Sequence, residues 1–431
     1  MRERIILRLA GFASTIFVVA LVALFATVTS VNFGHAEETL RSEHVAKIEK
    51  AIAAGAGFLV EQQQPDGTWR SKTYGLLKDG TSLTPLVIWS LPKSALTRAA
   101  QERGLAAMSS WVESEARTTH VRVLPQYPVY AAGLAIIVLS ESEEARQKDE
   151  TVVWRGLLKA HQLTETNGWS QDDSRFGGWG YSHDPPTRPA DGATLSPLDE
   201  PNLSATVFAL EGLAAGHRDD PPMKVRLSKA LQFVQRCQNW RANAPAADEK
   251  FNDGGFHFLL IDEVRNKPGV AGVDGTGQTR FVSYGSATAD GLRALLLCGV
   301  KRDHPRVVAA RLWLVRHLED GAHPGAYPAD RAHLQPSLDF YYAASLSKAF
   351  RQLQTGDARH SNSRWATLVA SRLLTLQRHD GSWSNPAVDV REDDPLIATS
   401  FALFALRNCL DELRSYSGGT APGTGDPGRE H

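Results

Sequence analysis

Residues 55–69 read Gly55-Ala-Gly-Phe-Leu59-Val-Glu-Gln-Gln63-Gln-Pro-Asp-Gly67-Thr-Trp69, and this stretch decides the fold. It leads from the end of an apolar-periodic helix, through a glutamine, into an Asp-Gly turn closed by tryptophan. The spacing Gln-x-x-x-Gly-x-Trp returns near the C-terminus at Gln377, Gly381 and Trp383. Recurrence at a fixed internal spacing indicates a repeat architecture.

Glycine-aromatic turns follow four of the helical segments that the sequence predicts. Glycine ends a helix because it accepts a positive φ, and the aromatic side chain then packs back on the helix. A glutamine one turn earlier can bond free backbone groups at the end of a neighbouring helix. We therefore interpret the motif as a structural staple between adjacent helices. Its two degenerate copies place Gln162 before Trp179 and Gln238 before Phe256.

Apolar periodicity predicts twelve helices in six hairpins, the first helix of each amphipathic and the second nearly apolar all round. Helices with a polar face lie at the surface, whereas helices that are apolar on every face must be enclosed. The sequence thus predicts an all-α fold, an (α/α)6 toroid in which outer and inner helices alternate. The predicted outer helices are 44–63, 97–115, 145–162, 222–238, 304–319 and 361–378, and the inner ones are 82–96, 128–141, 202–216, 284–299, 337–352 and 395–412.

Composition excludes several classes of function. The chain has 431 residues, of which 42% are apolar, and a formal net charge of −1, so no basic surface points to nucleic acid. Three cysteines lie far apart, at Cys237, Cys298 and Cys409, without a Cys-x-x-Cys pair. They predict buried thiols and not a metal site, and their odd number disfavours a disulfide framework.

The N-terminus predicts export. Three arginines precede an uncharged run over 9–31, and small residues follow up to Ala36. This pattern is typical of a signal peptide over 1–36, although the run is also long enough to span a bilayer as an uncleaved anchor. Either interpretation places the body outside the cytoplasm, periplasmic or anchored to the membrane. The predicted toroid covers 38–412, and a polar tail over 413–431 is predicted to be disordered.

The quoted repeats resemble the glutamine–tryptophan motifs of squalene-hopene and oxidosqualene cyclases, and the related repeats of protein prenyltransferase β subunits. The segments Phe176-Gly-Gly-Trp-Gly-Tyr181 and Ser283-Tyr-Gly-Ser-Ala-Thr288 are similar to those of exported bacterial proteins that carry prenyltransferase/squalene-oxidase repeats. The resemblance covers most of 45–412. It implies an α/α toroid with an apolar central cavity suited to isoprenoid chains.

The residues that the family uses for chemistry are replaced. Cyclases of this type protonate their substrate with an Asp-x-Asp-Asp-Thr-Ala segment at the start of an inner helix. The matching segment here is Pro201-Asn202-Leu-Ser204-Ala205-Thr206, which lacks all three aspartates. Prenyltransferases hold zinc with Asp, Cys and His from separate inner helices, and no such set stands at the inner-helix starts. We therefore expect neither a metal nor another cofactor.

Polar residues at the starts of the inner helices are the remaining candidates for chemistry. Asp290 is the sharpest of them, because it lies within an otherwise apolar helix, where a carboxyl has a raised pKa and can act as a general acid. Its alternative role is an ion pair with Arg293. Asp394 and Asp339 also suit the first turns of helices. The other candidates at the cavity mouth are Tyr130, Asn202, Ser204, Tyr284 and Tyr341.

Three functions therefore stay open. The first is an exported toroid without catalysis that binds an apolar or isoprenoid ligand, or a partner, and this is the hypothesis we adopt. The second is a terpenoid cyclase-like isomerase with a rearranged acid, Asp290. The third is carbohydrate processing on the same barrel, which needs two carboxylates about 5–10 Å apart. Membrane contact is expected only through the N-terminal segment, if it is uncleaved.

Overall fold

A computed structural model describes residues 41–115, 118–141, 145–190, 193–215, 220–243, 245–354 and 363–417. The predicted export segment and residues 418–431 of the predicted tail lie outside these ranges. The chain divides into two compact units, residues 1–50 and the unit that begins at Ala51. In the first unit, the described residues 41–50 are helical.

The second unit holds the predicted helices in the predicted order. Most boundaries agree to within three residues, because glycine, proline and capping residues mark the helix ends. The helices are α1 (51–61), α2 (Leu83–Ser90), α3 (Arg98–Ser109), α4 (Pro128–Ser140), α5 (Ala145–His161), α6 (Leu203–Ala214), α7 (Pro221–Arg236), α8 (Gly285–Leu297), α9 (Pro305–Arg316), α10 (Asp339–Gln354), α11 (Arg364–Leu376) and α12 (Pro395–Ser417).

The even-numbered helices form an inner ring. Each of them packs on the next one in the series, and α12 packs on α2, which closes the ring. All eight residues of α2 are buried, and α6 and α8 are also buried almost throughout. The outer helices α7 and α11 instead bury one face. This alternation confirms the predicted (α/α)6 toroid.

Two short antiparallel hairpins interrupt the helical pattern. Strand β1 (Val112–Glu115) pairs with β2 (Thr118–Val121), and β3 (Val270–Val273) pairs with β4 (Thr279–Phe281). The prediction of a helix over 97–115 was therefore wrong in its last part, since α3 ends at Ser109. The β-branched residues of this segment favour a strand over a helix.

The repeated glutamines join neighbouring outer helices. Each side-chain amide donates to two carbonyl groups, that of the glycine in its own turn and that of a residue on the next outer helix. Such bonds satisfy carbonyl groups that would otherwise lack a partner. The acceptors are Gly67 and Ala100 for Gln63 (2.9 and 2.8 Å), Gly177 and Arg226 for Gln162 (3.0 and 3.2 Å), Gly254 and Arg306 for Gln238 (3.1 and 2.9 Å), and Gly381 and Ala51 for Gln377 (both 2.9 Å).

The aromatic residue of each turn ties the outer junction to an inner helix. Its backbone N–H donates to a threonine hydroxyl near the start of the following inner helix. The side chains of Trp69, Trp179, Phe256 and Trp383 are fully buried. The four bonds run from Trp69 to Thr84 (3.1 Å), Trp179 to Thr206 (3.1 Å), Phe256 to Thr288 (3.0 Å) and Trp383 to Thr399 (3.0 Å).

A fifth turn, at Gly321, follows α9 in place of a glutamine copy. Gly321 has φ 82° and lies against the Leu368 carbonyl of α11, as the other turn glycines lie against their outer neighbours. His323 takes the place of the tryptophan, and its N–H donates to Asp339 at 3.2 Å. Because histidine stands at both ends of the motif, as His317 and His323, the Gln-x-x-x-Gly-x-Trp pattern does not reveal this copy.

The junction between α3 and α5 is built differently. Ser109 at the end of α3 donates to Glu150 of α5 at 2.7 Å, and the β1–β2 hairpin replaces the glycine turn. Along the residues that the structure describes, no helix is both long and apolar enough to cross a membrane. The uncharged run over 9–31 lies outside those residues.

Candidate functional site

Four charged side chains from three inner helices meet inside the ring. Arg293 on α8 donates to Glu211 on α6 at 2.7 Å and to Asp290, one turn earlier on α8, at 2.9 Å. Lys348 on α10 donates to the second oxygen of Glu211 at 2.9 Å. Glu211, Asp290 and Arg293 are each at most 5% exposed. We call these four residues the axial charge cluster. Its two cations balance its two carboxylates, as a buried ionic group requires.

A chain of hydroxyl groups continues from Asp290. Tyr341 donates to one carboxylate oxygen at 2.7 Å, and Ser345 donates to the other at 2.5 Å. The Tyr341 oxygen lies 2.5 Å from Ser204 Oγ, which accepts from Tyr130 at 2.7 Å. The structure thus brings together four of the sequence candidates, Asp290, Tyr341, Ser204 and Tyr130, in one hydrogen-bonded network.

Burial and pairing act in opposite directions on the two carboxyl groups of the cluster. Burial raises the pKa of Asp290, against the opposing effects of Arg293, Ser345 and Tyr341. Burial also favours the neutral form of Glu211, but Arg293 and Lys348 together hold the pKa of Glu211 below its usual value. Because Glu211 contacts two cations and Asp290 only one, Glu211 is the more firmly ionised carboxylate.

Aromatic side chains line the inner ring beside the cluster. Trp89 of α2 stacks on Phe404 of α12, with ring centroids 3.7 Å apart. Lys348 Nζ lies 5.3 Å from both of these ring centroids, within the range of a cation–π interaction. Phe401 of α12 meets Tyr341 edge-on, at 5.3 Å between centroids. We call Trp89, Tyr130, Tyr341, Phe401 and Phe404 the aromatic wall.

The aromatic wall is not closed to solvent. Tyr130, Tyr341, Phe401 and Phe404 keep partly accessible surfaces, although they belong to the inner helices. A cavity of about 400 Å³ lies between the C-terminal ends of α2 and α4, the outer helix α3 and α12. Trp89 and Phe404 line it together with polar and charged side chains, among them Arg98, Glu102 and Arg407. Space for a ligand therefore lies next to two of the five rings of the wall, and it lies away from the inner-helix starts where the sequence analysis placed the candidates.

Three candidates serve helix starts or turns. Asn202 caps α6, with its Oδ1 accepting from the Ala205 N–H at 2.9 Å. Asp394 accepts from the Leu396 N–H at 2.9 Å and from the Ser71 hydroxyl. Asp339 accepts from the His323 N–H and from Arg372 of α11. The side chains of Asp339 and Asp394 are occupied by these structural bonds, whereas the Nδ2 of Asn202 is buried without a hydrogen-bond partner.

Tyr284, the remaining candidate, packs in a separate aromatic group. Its ring meets those of His323 and Tyr327 edge-on, at 5.8 and 6.5 Å between centroids. Its side chain is buried. Tyr284 therefore lies apart from the hydroxyl chain that begins at Asp290.

Sequence reasoning missed three residues that the structure brings into prominence. Glu211 and Lys348 are single charges within apolar stretches of inner helices, which is the same signal that singled out Asp290. Glu392 is 1% exposed, and its carboxyl group accepts from the N–H groups of Phe340 and Tyr341 at 3.1 and 2.6 Å. Burial raises the pKa of Glu392 to about 8, against the opposing effect of these N–H groups.

Metal ligands do not cluster in the described part of the chain. Within it, no group of three or more His, Cys, Asp or Glu side chains is arranged to hold a metal ion. The three cysteines are free thiols, and Cys237 and Cys409 are buried. Burial raises the pKa of both buried thiols, which makes them poor nucleophiles.

Comparisons with known proteins identify the fold but no family. No protein-family model matches the sequence, and no curated protein matches it significantly. Solved structures with the same fold include the ligand-free type II terpene cyclase MstE from Scytonema, with 14% identity over 85% of this chain and 99% of that chain, and a TM-score of 0.50.

Two carbohydrate enzymes are similar to the same degree. The cellobiose 2-epimerase from Spirochaeta thermophila has 13% identity over 88% of this chain and 97% of that chain, with a TM-score of 0.52. A GH76 α-mannanase from Bacteroides thetaiotaomicron has 10% identity over 85% of this chain and 96% of that chain, with a TM-score of 0.51. At such identities the likeness shows the (α/α)6 toroid fold alone.

Proposed function

We propose that this toroid binds an apolar small molecule, of the isoprenoid class or of similar shape, against the aromatic wall. The observation that carries the proposal is the contrast between two sets of neighbouring side chains. Four of the five aromatic residues of the wall keep accessible surface, whereas the charges of the axial charge cluster beside them are bonded to one another. A site with open aromatic surface and occupied polar groups favours an apolar ligand.

The fold itself does not choose between ligand classes, because terpene and carbohydrate enzymes both have it. The choice rests on the side chains. A sugar ligand needs polar groups that are free to bond its hydroxyls, and a glycosidase needs two carboxylates facing one cleft. Here Asp339 and Asp394 hold helix starts, and Glu211 and Asp290 share Arg293. These contacts argue against the carbohydrate alternative.

Proton transfer from Asp290 is also disfavoured as the function. Both of its oxygens accept from protein donors, namely Tyr341, Ser345 and Arg293. A general acid must instead present its proton to the substrate within hydrogen-bond distance. At the position of the cyclase acid, Ser204 bonds the hydroxyls of Tyr130 and Tyr341. We therefore propose ligand binding without cyclisation.

The binding proposal is tested by extracting the purified protein with organic solvent and analysing the extract by mass spectrometry. Purification must be free of detergent. We expect an apolar compound in stoichiometric amount, reduced at least severalfold in Phe401→Ala. The matched control is Leu312→Ala, an exposed residue of the outer helix α9. An extract without apolar compounds, together with bound sugar in the native protein, would overturn the proposal.

The isomerase alternative has its own test. Squalene and prenyl diphosphates are incubated with the protein and with Asp290→Asn, and products are sought by chromatography. We expect no turnover by either. Turnover that is lost in Asp290→Asn, while the variant stays folded, would replace our proposal by the isomerase.

We also propose that the body of the protein acts outside the cytoplasm. The support is the sequence pattern of Arg2, Arg4 and Arg8 followed by the uncharged run over 9–31. Fusion of residues 1–40 to alkaline phosphatase, which is active only after export, should give active enzyme in bacterial cells. Export would be contradicted if the phosphatase fusion were inactive and if a reporter that works only in the cytoplasm were active when fused to the same residues.

A further inference from the structure

A second cavity lies away from the aromatic wall, between two outer helices. Its volume is about 740 Å³, and it is bounded by the ends of α4 and α6 and by α5 and α7. One part of its lining is basic, with Arg155 and Lys159 on α5 and Arg226 on α7. Another part is apolar and includes Pro221 and Met223. This combination suits a ligand with an anionic head and an apolar body.

Arg155 is the most unusual member of this lining. It is 8% exposed, and its guanidinium donates to Thr151 at 2.7 Å and to the Ala215 carbonyl at 3.0 Å. Its Nε is buried and has no hydrogen-bond partner, and the same holds for the hydroxyl of Ser140, another residue of the lining. A buried polar atom without a partner costs about 1–3 kcal/mol, so such atoms call for an explanation.

The charges of the lining define the kind of ligand. Among the described residues of the lining, three cations, Arg155, Lys159 and Arg226, face one carboxylate, Asp220, which is an excess of two positive charges. The positive end of the α7 dipole adds to this field, because α7 begins at Pro221. Arg226 is partly occupied by Gln162 Oε1 at 3.2 Å, whereas Lys159 is exposed and free to move towards a ligand.

We infer that this cavity binds a phosphate monoester that carries an apolar chain. A phosphate monoester has close to two negative charges at neutral pH, which matches the excess charge of the lining. Arginine and lysine are the usual partners of phosphate oxygens. The apolar chain lies on Pro221, Pro222 and Met223. The site is distinct from the aromatic wall and does not depend on the function proposed for it.

The test is a calorimetric titration of the whole protein with octyl phosphate below its micelle concentration. Octyl glucoside, which has the same chain and no charge, serves as the ligand control. We expect octyl phosphate to bind and octyl glucoside not to bind, and the affinity for octyl phosphate should fall about tenfold in Lys159→Gln and further in Arg155→Gln. Arg311→Gln removes an exposed charge from α9, outside the cavity, and should leave affinity unchanged.

Since Arg155 also bonds the end of α6, its variant could unfold, and Lys159→Gln at an exposed position then decides alone. Inorganic phosphate should bind more weakly than octyl phosphate, because it lacks the apolar contact. Co-sedimentation with phosphatidylcholine vesicles that contain phosphatidic acid would identify the headgroup of a membrane lipid as the ligand. If the protein does not co-sediment, the ligand is a soluble phosphate ester. Octyl phosphate that does not bind, or that binds Lys159→Gln as tightly as wild type, would overturn the inference.

Discussion

The outer junctions and the axial charge cluster solve the same problem, the satisfaction of buried polar groups, in different ways. At the outer junctions a neutral amide such as Gln238 bonds two backbone carbonyls, and the arrangement recurs from helix to helix. In the cluster, ionised side chains bond one another, and each of them occurs once. The repeated bonds maintain the ring, whereas the unrepeated ones shape the interior that the ring encloses.

This difference has an energetic side. A neutral hydrogen bond contributes about 0.5–1.5 kcal/mol net to the free energy of unfolding, so its loss destabilises the fold only modestly. Removal of one member of a buried ion cluster costs more, because the remaining charges lose their partners. Close backbone contacts at the turn glycines cost most of all, since neither backbone can move without disturbing its helix. Substitutions should therefore cost least at the glutamines of the outer junctions, more in the axial charge cluster and most at the turn glycines.

The largest effect is expected for Gly177→Ala. Gly177 has φ 92°, and a Cβ there would lie 2.0 Å from the Lys229 carbonyl oxygen. We expect a loss of more than about 4 kcal/mol in the free energy of unfolding, or no folded protein. The control is Gly156→Ala in α5, where a Cβ meets nothing within 4 Å. Chemical denaturation measures the free energy of unfolding of both variants. A loss below about 1 kcal/mol for Gly177→Ala, which is the cost of an ordinary substitution, would show that the close backbone contact at Gly177 does not limit stability.

The next largest effect is expected for Arg293→Met. The substitution leaves Asp290 without its cation and Glu211 with Lys348 alone, so the free energy of unfolding should fall by about 3–5 kcal/mol. Arg311→Met, at an exposed position of α9, should change it by less than about 0.5 kcal/mol. Equal free energies of unfolding for the two variants would show that Arg293 contributes no more to stability than an exposed arginine does.

A pH effect of about 3–4 kcal/mol between pH 5 and 8 should distinguish Glu392 from the outer junctions. Burial raises the pKa of Glu392 to about 8 from the ordinary value of 4.5. Between these values the folded chain binds a proton that the unfolded chain releases. The resulting stability is fully present below pH 4.5 and is lost as the pH rises towards 8, by up to about 1.4 kcal/mol per pH unit.

The variant Glu392→Gln does not titrate and should lose this slope. Urea denaturation of wild type and variant at several pH values between 5 and 8 measures the difference. Glu319→Gln is the same substitution at an exposed position, and it should keep the pH profile of the wild-type stability. Parallel profiles for wild type and Glu392→Gln would mean that Glu392 is ionised throughout and does not contribute this dependence.

The smallest effect is expected for Gln238→Leu at an outer junction. The substitution removes the bonds to the Gly254 and Arg306 carbonyls and should cost about 1–2 kcal/mol. Gln278→Leu, at an exposed position, should be nearly neutral. If Gln238→Leu lowered the free energy of unfolding by more than Arg293→Met does, the outer junctions would contribute more to stability than the axial charge cluster, contrary to our expectation.

Repetition explains why so much of the fold could be predicted from the sequence. The motif at Gln63 and Gln377 recurs with fixed spacing, and the periodicity of the helices distinguishes outer from inner members. The exceptions are local. The strand β1 was read as the end of a helix, because a short run such as Val112–Glu115 carries no reliable periodicity. The turn at Gly321 was missed because histidines replace the glutamine and the tryptophan.

The interior was less predictable, since it has no repetition. Asp290 stood out in its apolar helix, but its partners Glu211 and Ser345 come from other helices and cannot be paired with it by spacing. The accessible cavity beside Trp89 lies at the C-terminal ends of the inner helices, whereas the candidates were sought at their starts. Where such a cavity forms depends on the packing of the connecting segments, and helix periodicity contains no information about that packing.

The most direct test of the central claim is equilibrium binding of a neutral, labelled isoprenoid alcohol such as farnesol. We expect saturable binding of one molecule per chain, unchanged in Asp290→Asn and lost in the double variant Phe401→Ala, Phe404→Ala. Leu312→Ala should bind as the wild type does. Absence of saturable binding to the wild type, or undiminished binding to the folded double variant, would contradict the claim that the aromatic wall receives an apolar ligand.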